Sequence, residues 1–142
     1  MARRVHCFVL SALMGIVSLP IAAQEIPNLV GTWKGTGYGI HVGPTPYRTA
    51  EQTGVIFNTN PVEFTYTITE QQDNRFTGEL SGGTVTETLI GALQPDNRGG
   101  IMLDSDGQYS FTLRDPNTID LCYSHLNPTS RVVGCMSLTR SQ

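Results

Sequence analysis

The chain has 142 residues, 39% of them hydrophobic, with 9 Lys and Arg against 12 Asp and Glu and a formal net charge of −3. That length suits one domain with a core of its own. The acidic balance argues against nucleic acid and anionic membrane surfaces as partners, because both select clustered basic charge.

Arg3 and Arg4, an apolar run from Val5 to Leu19, and then Pro20-Ile21-Ala22-Ala23 make residues 1–23 a secretory signal peptide with cleavage after Ala23. A membrane anchor is the competing reading, but the run is shorter than the roughly 20 residues a span requires. Residues 24–142 are then a single domain with no membrane span. Losing Arg3 and Arg4 leaves seven basic residues against twelve acids, a net charge of −5. Export also removes Cys7, leaving Cys122 and Cys135 as an even pair in a secreted or periplasmic setting where disulfides persist.

Past the leader, helical periodicity is absent and period-two alternation recurs between Gly, Asn, Asp and Pro punctuation, so the fold class is all-β. Strands are predicted, in order, at Leu29 to His41, Val62 to Glu70, Arg75 to Ser81, Thr84 to Leu93, Gly99 to Asp104, Gln108 to Arg114, Thr118 to Leu126 and Arg131 to Arg140. Eight antiparallel strands, an even number, close as an up-and-down β-barrel. Gly82-Gly83 suits a two-residue turn that puts Leu80 opposite Val85, and Ser105-Asp106-Gly107 a three-residue turn that puts Leu103 beside Tyr109. Asn127-Pro128-Thr129-Ser130 fits a four-residue loop setting Leu121 against Met136, Ile119 against Leu138 and Cys122 against Cys135. A disulfide between those cysteines would lie on the polar outer face as a structural staple.

Parity assigns Leu29, Trp33, Phe64, Ile68, Phe76, Leu80, Val85, Leu89, Leu93, Ile101, Leu103, Phe111, Leu113, Ile119, Leu121, Met136 and Leu138 to the interior. Gly35, Gly37, Gly39, Gly78 and Gly91 share that face. Two explanations stand side by side: missing side-chain volume that leaves a cavity, or glycines that permit tight coiling and face large partners, as Gly78 would face Ile68. Trp33 and Arg140 fall at one end, where the guanidinium can lie on the indole and close the barrel.

The other end gathers the candidate ligand-binding residues Tyr66, Glu87, Tyr109, Tyr123, His125 and His41. Glu87 stands between inward-facing Val85 and Leu89, so it needs a partner such as a histidine, a phenol or a cationic group on a ligand. A slipped register would turn it to solvent instead. The long segment 42–61 is either a lid over that end or an extra edge strand around Thr53 to Phe57.

Asn28-Leu29-Val30-Gly31-Thr32-Trp33 resembles the first strand of calycin barrels, the lipocalins and avidins, with its Gly-x-Trp motif. Val133-Gly134 through Leu138-Thr139-Arg140 is similar to an avidin-type last strand carrying the basic residue that calycins set against that tryptophan. The resemblance implies a calycin-like barrel and its floor. It does not extend to a biotin site, since Trp33 is the one tryptophan and Gly35 and Gly39 stand where avidins place polar ligands.

No catalytic constellation, phosphate loop or metal-ligand cluster is evident, and the sequence calls for no cofactor. Asp104-Ser105-Asp106-Gly107 reads as a turn, too short for a calcium loop. The leading expectation is a binding protein that holds a small apolar or amphipathic molecule at the mouth under the 42–61 segment. The alternative is a protein-interaction module with a solid core, for example an inhibitor of an exported enzyme. An enzyme using Glu87 as its lone acid is a third possibility. Ligand identity and oligomeric state are left open by the sequence.

Overall fold

A computed structural model describes residues 25–45 and 54–141. The leader assigned to residues 1–23 and the stretch 46–53 lie outside the described residues. Among the described residues nine strands form: β1 (Gly31–Val42), β2 (Val55–Phe57), β3 (Val62–Gln72), β4 (Arg75–Gly82), β5 (Val85–Leu93), β6 (Gly99–Leu103), β7 (Gln108–Asp115), β8 (Thr118–Leu126) and β9 (Arg131–Arg140). Every pairing is antiparallel, consecutive strands from β3 to β9 are neighbours, and β1 pairs both β3 and β9. The sheet therefore shuts on itself as an eight-stranded up-and-down barrel, leaving no long free edge among the described residues.

The short β2 does not add a ninth stave. It pairs Ile40 with Phe57 and Val42 with Val55, along the same edge of β1 on which β3 pairs Gly37 with Val62. Strand β2 thus runs ahead of β3, and Asn58 N donates to Gly39 O at 2.9 Å to continue the ladder. Residues 55–57 of the 42–61 segment accordingly take the edge-strand form.

The hairpins show which register errors matter. The β4–β5 turn sits at Gly83-Thr84, with Gly83 at φ 57, so Leu80 faces Glu87 where the sequence suggested Val85. That shift moves the partner by two residues and keeps every side chain on its expected face. The β6–β7 turn spans Asp104 to Gly107 and pairs Leu103 with Gln108, one residue away from the expected Leu103–Tyr109 pairing. A one-residue slip inverts a face: Ile101 and Leu103, assigned to the interior, point outward at 57% and 41% exposure, and Met102 is buried in their place. Asp104 causes the difference. Its carboxylate accepts from Gly107 N at 2.6 Å and Asp106 N at 3.2 Å, drawing Asp104 out of the strand and into the turn.

The β8–β9 loop gives the expected pairs Leu121–Met136, Ile119–Leu138 and Cys122–Cys135, and the two cysteines form a disulfide on the outer face. The core is continuous from Leu29 and Trp33 through Leu80, Leu89, Phe111 and Leu121 to Tyr66 and Tyr109. The glycine wall is mostly filled by neighbours. A side chain at Gly35 would strike Leu138, at Gly37 Met136, at Gly78 the Thr67–Ile68 backbone and at Gly91 the Phe76 ring.

The floor is closed by a short set of contacts. Trp33 is 1% exposed and donates from Nε1 to Leu29 O at 2.9 Å. Arg140 lies with Cζ 4.1 Å from the indole centroid, and its Nη1 and Nη2 donate to Val30 O and Asn28 O at 2.8 and 2.7 Å. A partly desolvated cation on an indole contributes about 1–2 kcal/mol, and the two carbonyl bonds tie the incoming chain to the last strand.

Candidate functional site

Register alone places the aromatic residues at the opposite end. Met102 pairs with Tyr109, Tyr109 with Tyr123, Tyr123 with Gly134 and Gly134 with Gly39, forming one transverse row. Two large rings on one wall thus meet two positions without side chains on the other. One row deeper, Met136 occupies the space in front of Gly37. The mismatch leaves a cavity of about 70 Å³ at the mouth, bordered by Gly37, Gly39, Phe64, Tyr66, Tyr109, Tyr123, His125, Val132 and Met136, with Thr45 and Asn58 from the 42–61 segment. Close packing accounts for the inward glycines at both ends, since even at Gly39 a side chain would meet Asn58 Nδ2 and Val133 O, and Gly37 and Gly39 also border the mouth cavity.

The phenols are joined to one another and to the β6–β7 turn. Tyr66 and Tyr109 pack edge to face with centroids 5.9 Å apart, and Tyr109 and Tyr123 lie 4.7 Å apart. Tyr109 donates to Asp104 Oδ2 at 2.5 Å and Tyr123 to Asp106 Oδ1 at 2.9 Å. The Tyr109 hydroxyl also neighbours that of Tyr66. Burial, foremost, and the nearby Asp104 carboxylate hold the Tyr66 hydroxyl well above the ordinary phenol range, with the Tyr109 hydroxyl offsetting part of the effect. Tyr109 is raised further, by burial first and then by Tyr66 and Asp104. Both phenols stay protonated at any physiological pH.

His125 is 6% exposed and its tautomer follows from its neighbours. Asn127 Oδ1 accepts from Thr129 N and Ser130 N at 3.0 and 2.7 Å, which fixes the amide orientation. The Asn127 Nδ2 group then donates toward His125 Nε2 at 3.3 Å, making Nε2 the acceptor and Nδ1 the protonated nitrogen. Nδ1 faces the Tyr123 oxygen at 3.2 Å and Asp106 Oδ2 at 3.4 Å, while Ser130 Oγ lies 2.7 Å from Nε2. The Asp106, His125 and Ser130 contacts have the order of a hydrolase relay. Ser130, however, is 5% exposed and does not border the cavity, so its hydroxyl is not presented to a substrate and the bonds instead hold the Asn127–Ser130 turn.

Of the six candidates, Tyr66, Tyr109, Tyr123 and His125 line the cavity and are brought together. Glu87 and His41 do not line it. Glu87 is half-buried, accepts from the Ser105 hydroxyl and comes within 4.8 Å of the Asp104 and Asp106 carboxylates. His41 is 5% exposed on the inward face of β1, between Ile56 and Val132, and its Nδ1 has no hydrogen-bond partner. Sequence reasoning missed Asp104 and Asp106, which anchor the phenols, because acids in a glycine-containing turn read as turn formers. The available signal was Tyr109, an inward phenol in need of a partner only a few residues beyond two carboxylates.

No protein-family model matches the chain, and no curated protein matches it in sequence. Among solved structures, the S-type phycobiliprotein lyase CPES from Guillardia theta is similar at a TM-score of 0.38 and 8% identity, over 80% of this chain and 89% of that one.

Proposed function

We propose that the protein is an exported binding protein of the calycin-like class, holding a small apolar or amphipathic molecule at the barrel mouth beside the 42–61 segment. The observation that carries this reading is the cavity framed by Tyr66, Tyr109, Tyr123 and His125 against the bare backbone of Gly39 and Gly134. The cavity of about 70 Å³ takes more than a single water and so admits a small organic group, with any remaining stem leading outward. Phe64, Val62, Val132 and Met136 supply apolar walls, and the phenols supply orienting oxygens. Export is supported by the leader-like residues 1–23 and by the Cys122–Cys135 disulfide, a bond that lasts in oxidising compartments.

Native mass spectrometry of protein purified from its own host tests the reading. A co-purifying small molecule released on denaturation is the expected result. Ligand-free protein that also fails to bind any small amphiphile, with a mouth filled by side chains in a crystal structure, would overturn it.

One observation favours a second reading, a protein-contact module. The outer face beside the same segment exposes Phe57, Val55, Tyr38, Val133 and Leu126 at 53–79%, and contiguous exposed apolar side chains mark contact surfaces. A partner retained by the wild type and lost on Phe57→Ser with Leu126→Ser, with small-molecule binding unaltered, would favour that reading.

A further inference from the structure

The geometry points to a small organic cation, an ammonium group on a short apolar stem, as the ligand class of the mouth cavity. This inference rests on the binding reading above and specifies its chemistry.

The argument is an account of protons. Tyr109 donates to Asp104 and Tyr123 to Asp106, so both of these phenol protons are directed to the acidic turn. The His125 proton sits on Nδ1 and faces Tyr123 and Asp106, while Nε2 faces Ser130 and Asn127. What these groups have left to offer a ligand is oxygen lone pairs and ring faces, which attract positive charge and N–H donors. A second observation stands apart from the acids. The Thr45 hydroxyl, in the cavity lining, is buried with no hydrogen-bond partner, and its oxygen can accept a ligand N–H while its own proton can donate.

Charge points the same way. Asp104, Asp106 and Glu87 stand together behind the phenols, their carboxylate oxygens within 4.8 Å. Among the described lining residues there is no Lys or Arg, and the sole amide is Asn58. A carboxylate headgroup would meet acceptors and like charge; an ammonium would meet acceptors, aromatic faces and opposite charge. The apolar stem would lie along Phe64, Val132 and Met136.

The test is calorimetric titration of the disulfide-intact protein with hexylamine, 1-hexanol and hexanoate, which share one stem. Hexylamine is expected to bind about tenfold more tightly than hexanol, with hexanoate weakest. Asp106→Asn should weaken hexylamine about fivefold and leave hexanol unchanged, and Asp104→Asn provides a second variant because Asp106 also contacts His125. Hexanol or hexanoate binding as well as hexylamine would overturn the cation inference while leaving a binding site in place. Calcium chloride binding with no response to hexylamine would overturn it as well. Failure of all three organic probes would remove the binding reading and this inference with it.

Discussion

Replacing Tyr109 by Phe tests how the mouth is held. The hydroxyl gives its proton to Asp104 at 2.5 Å, so the substitution removes a hydrogen bond to a carboxylate and almost no volume. Loss of the bond to a charged acceptor costs about 1.5–3 kcal/mol, at the lower end here because Asp104 keeps its bonds from Gly107 N and Asp106 N. The loss, about 1.5–2 kcal/mol, is to be read from urea unfolding under non-reducing conditions as a lower midpoint at constant slope. In an Asp104→Asn background the same change should cost less, since the charged acceptor is already gone. A single-variant cost under about 0.5 kcal/mol, or strictly additive effects in the cycle, would refute the bond from Tyr109 to Asp104.

Three further outcomes follow from other parts of the barrel. Arg140→Gln removes the indole contact and the bonds to Val30 O and Asn28 O, so stability should fall by about 2–4 kcal/mol, with a red shift in the emission of Trp33, the protein's one tryptophan. Replacing both Cys122 and Cys135 by Ala opens a loop of 13 residues' separation and should cost about 2–3 kcal/mol in thermal or urea unfolding. In alkaline titration Tyr66 and Tyr109 should not ionise while the protein stays folded, as absorbance near 295 nm would report. Because their folded values are raised, stability is intact below the unfolded phenol value of about 10 and declines as pH rises beyond it. Asp120 has the opposite sign. Ser137 first and then Arg114 hold its carboxyl below the usual range, so its contribution is present above about pH 4 and is lost as pH falls.

The barrel was legible because parity survives most turn errors. Leu80, Val85 and Leu89 keep the faces alternation assigns them although the β4–β5 turn moves, and the last hairpin follows directly from its four-residue loop. Parity fails where a side chain claims backbone donors: the Asp104 carboxylate captures Gly107 N and Asp106 N, lengthens the turn and turns Ile101 and Leu103 outward. The site was legible to the same extent. Tyr66, Tyr109, Tyr123 and His125 converge because their inward positions lie at one end, which alternation and strand direction supply. Their anchoring to Asp104 and Asp106 depends on a turn folding back over the mouth. The standing of Glu87 and His41 outside the lining depends on transverse rows that exist once the barrel is closed.

The central claim is that the mouth, between the phenols and the glycine wall, receives a ligand. Backbone amide shifts followed by NMR during a hexylamine titration test it most directly. The account predicts saturable changes centred on Gly37, Gly39, Tyr109, Tyr123 and Gly134, with the Trp33 and Arg140 floor unmoved. An absence of saturable change, or changes centred on the floor, would contradict it.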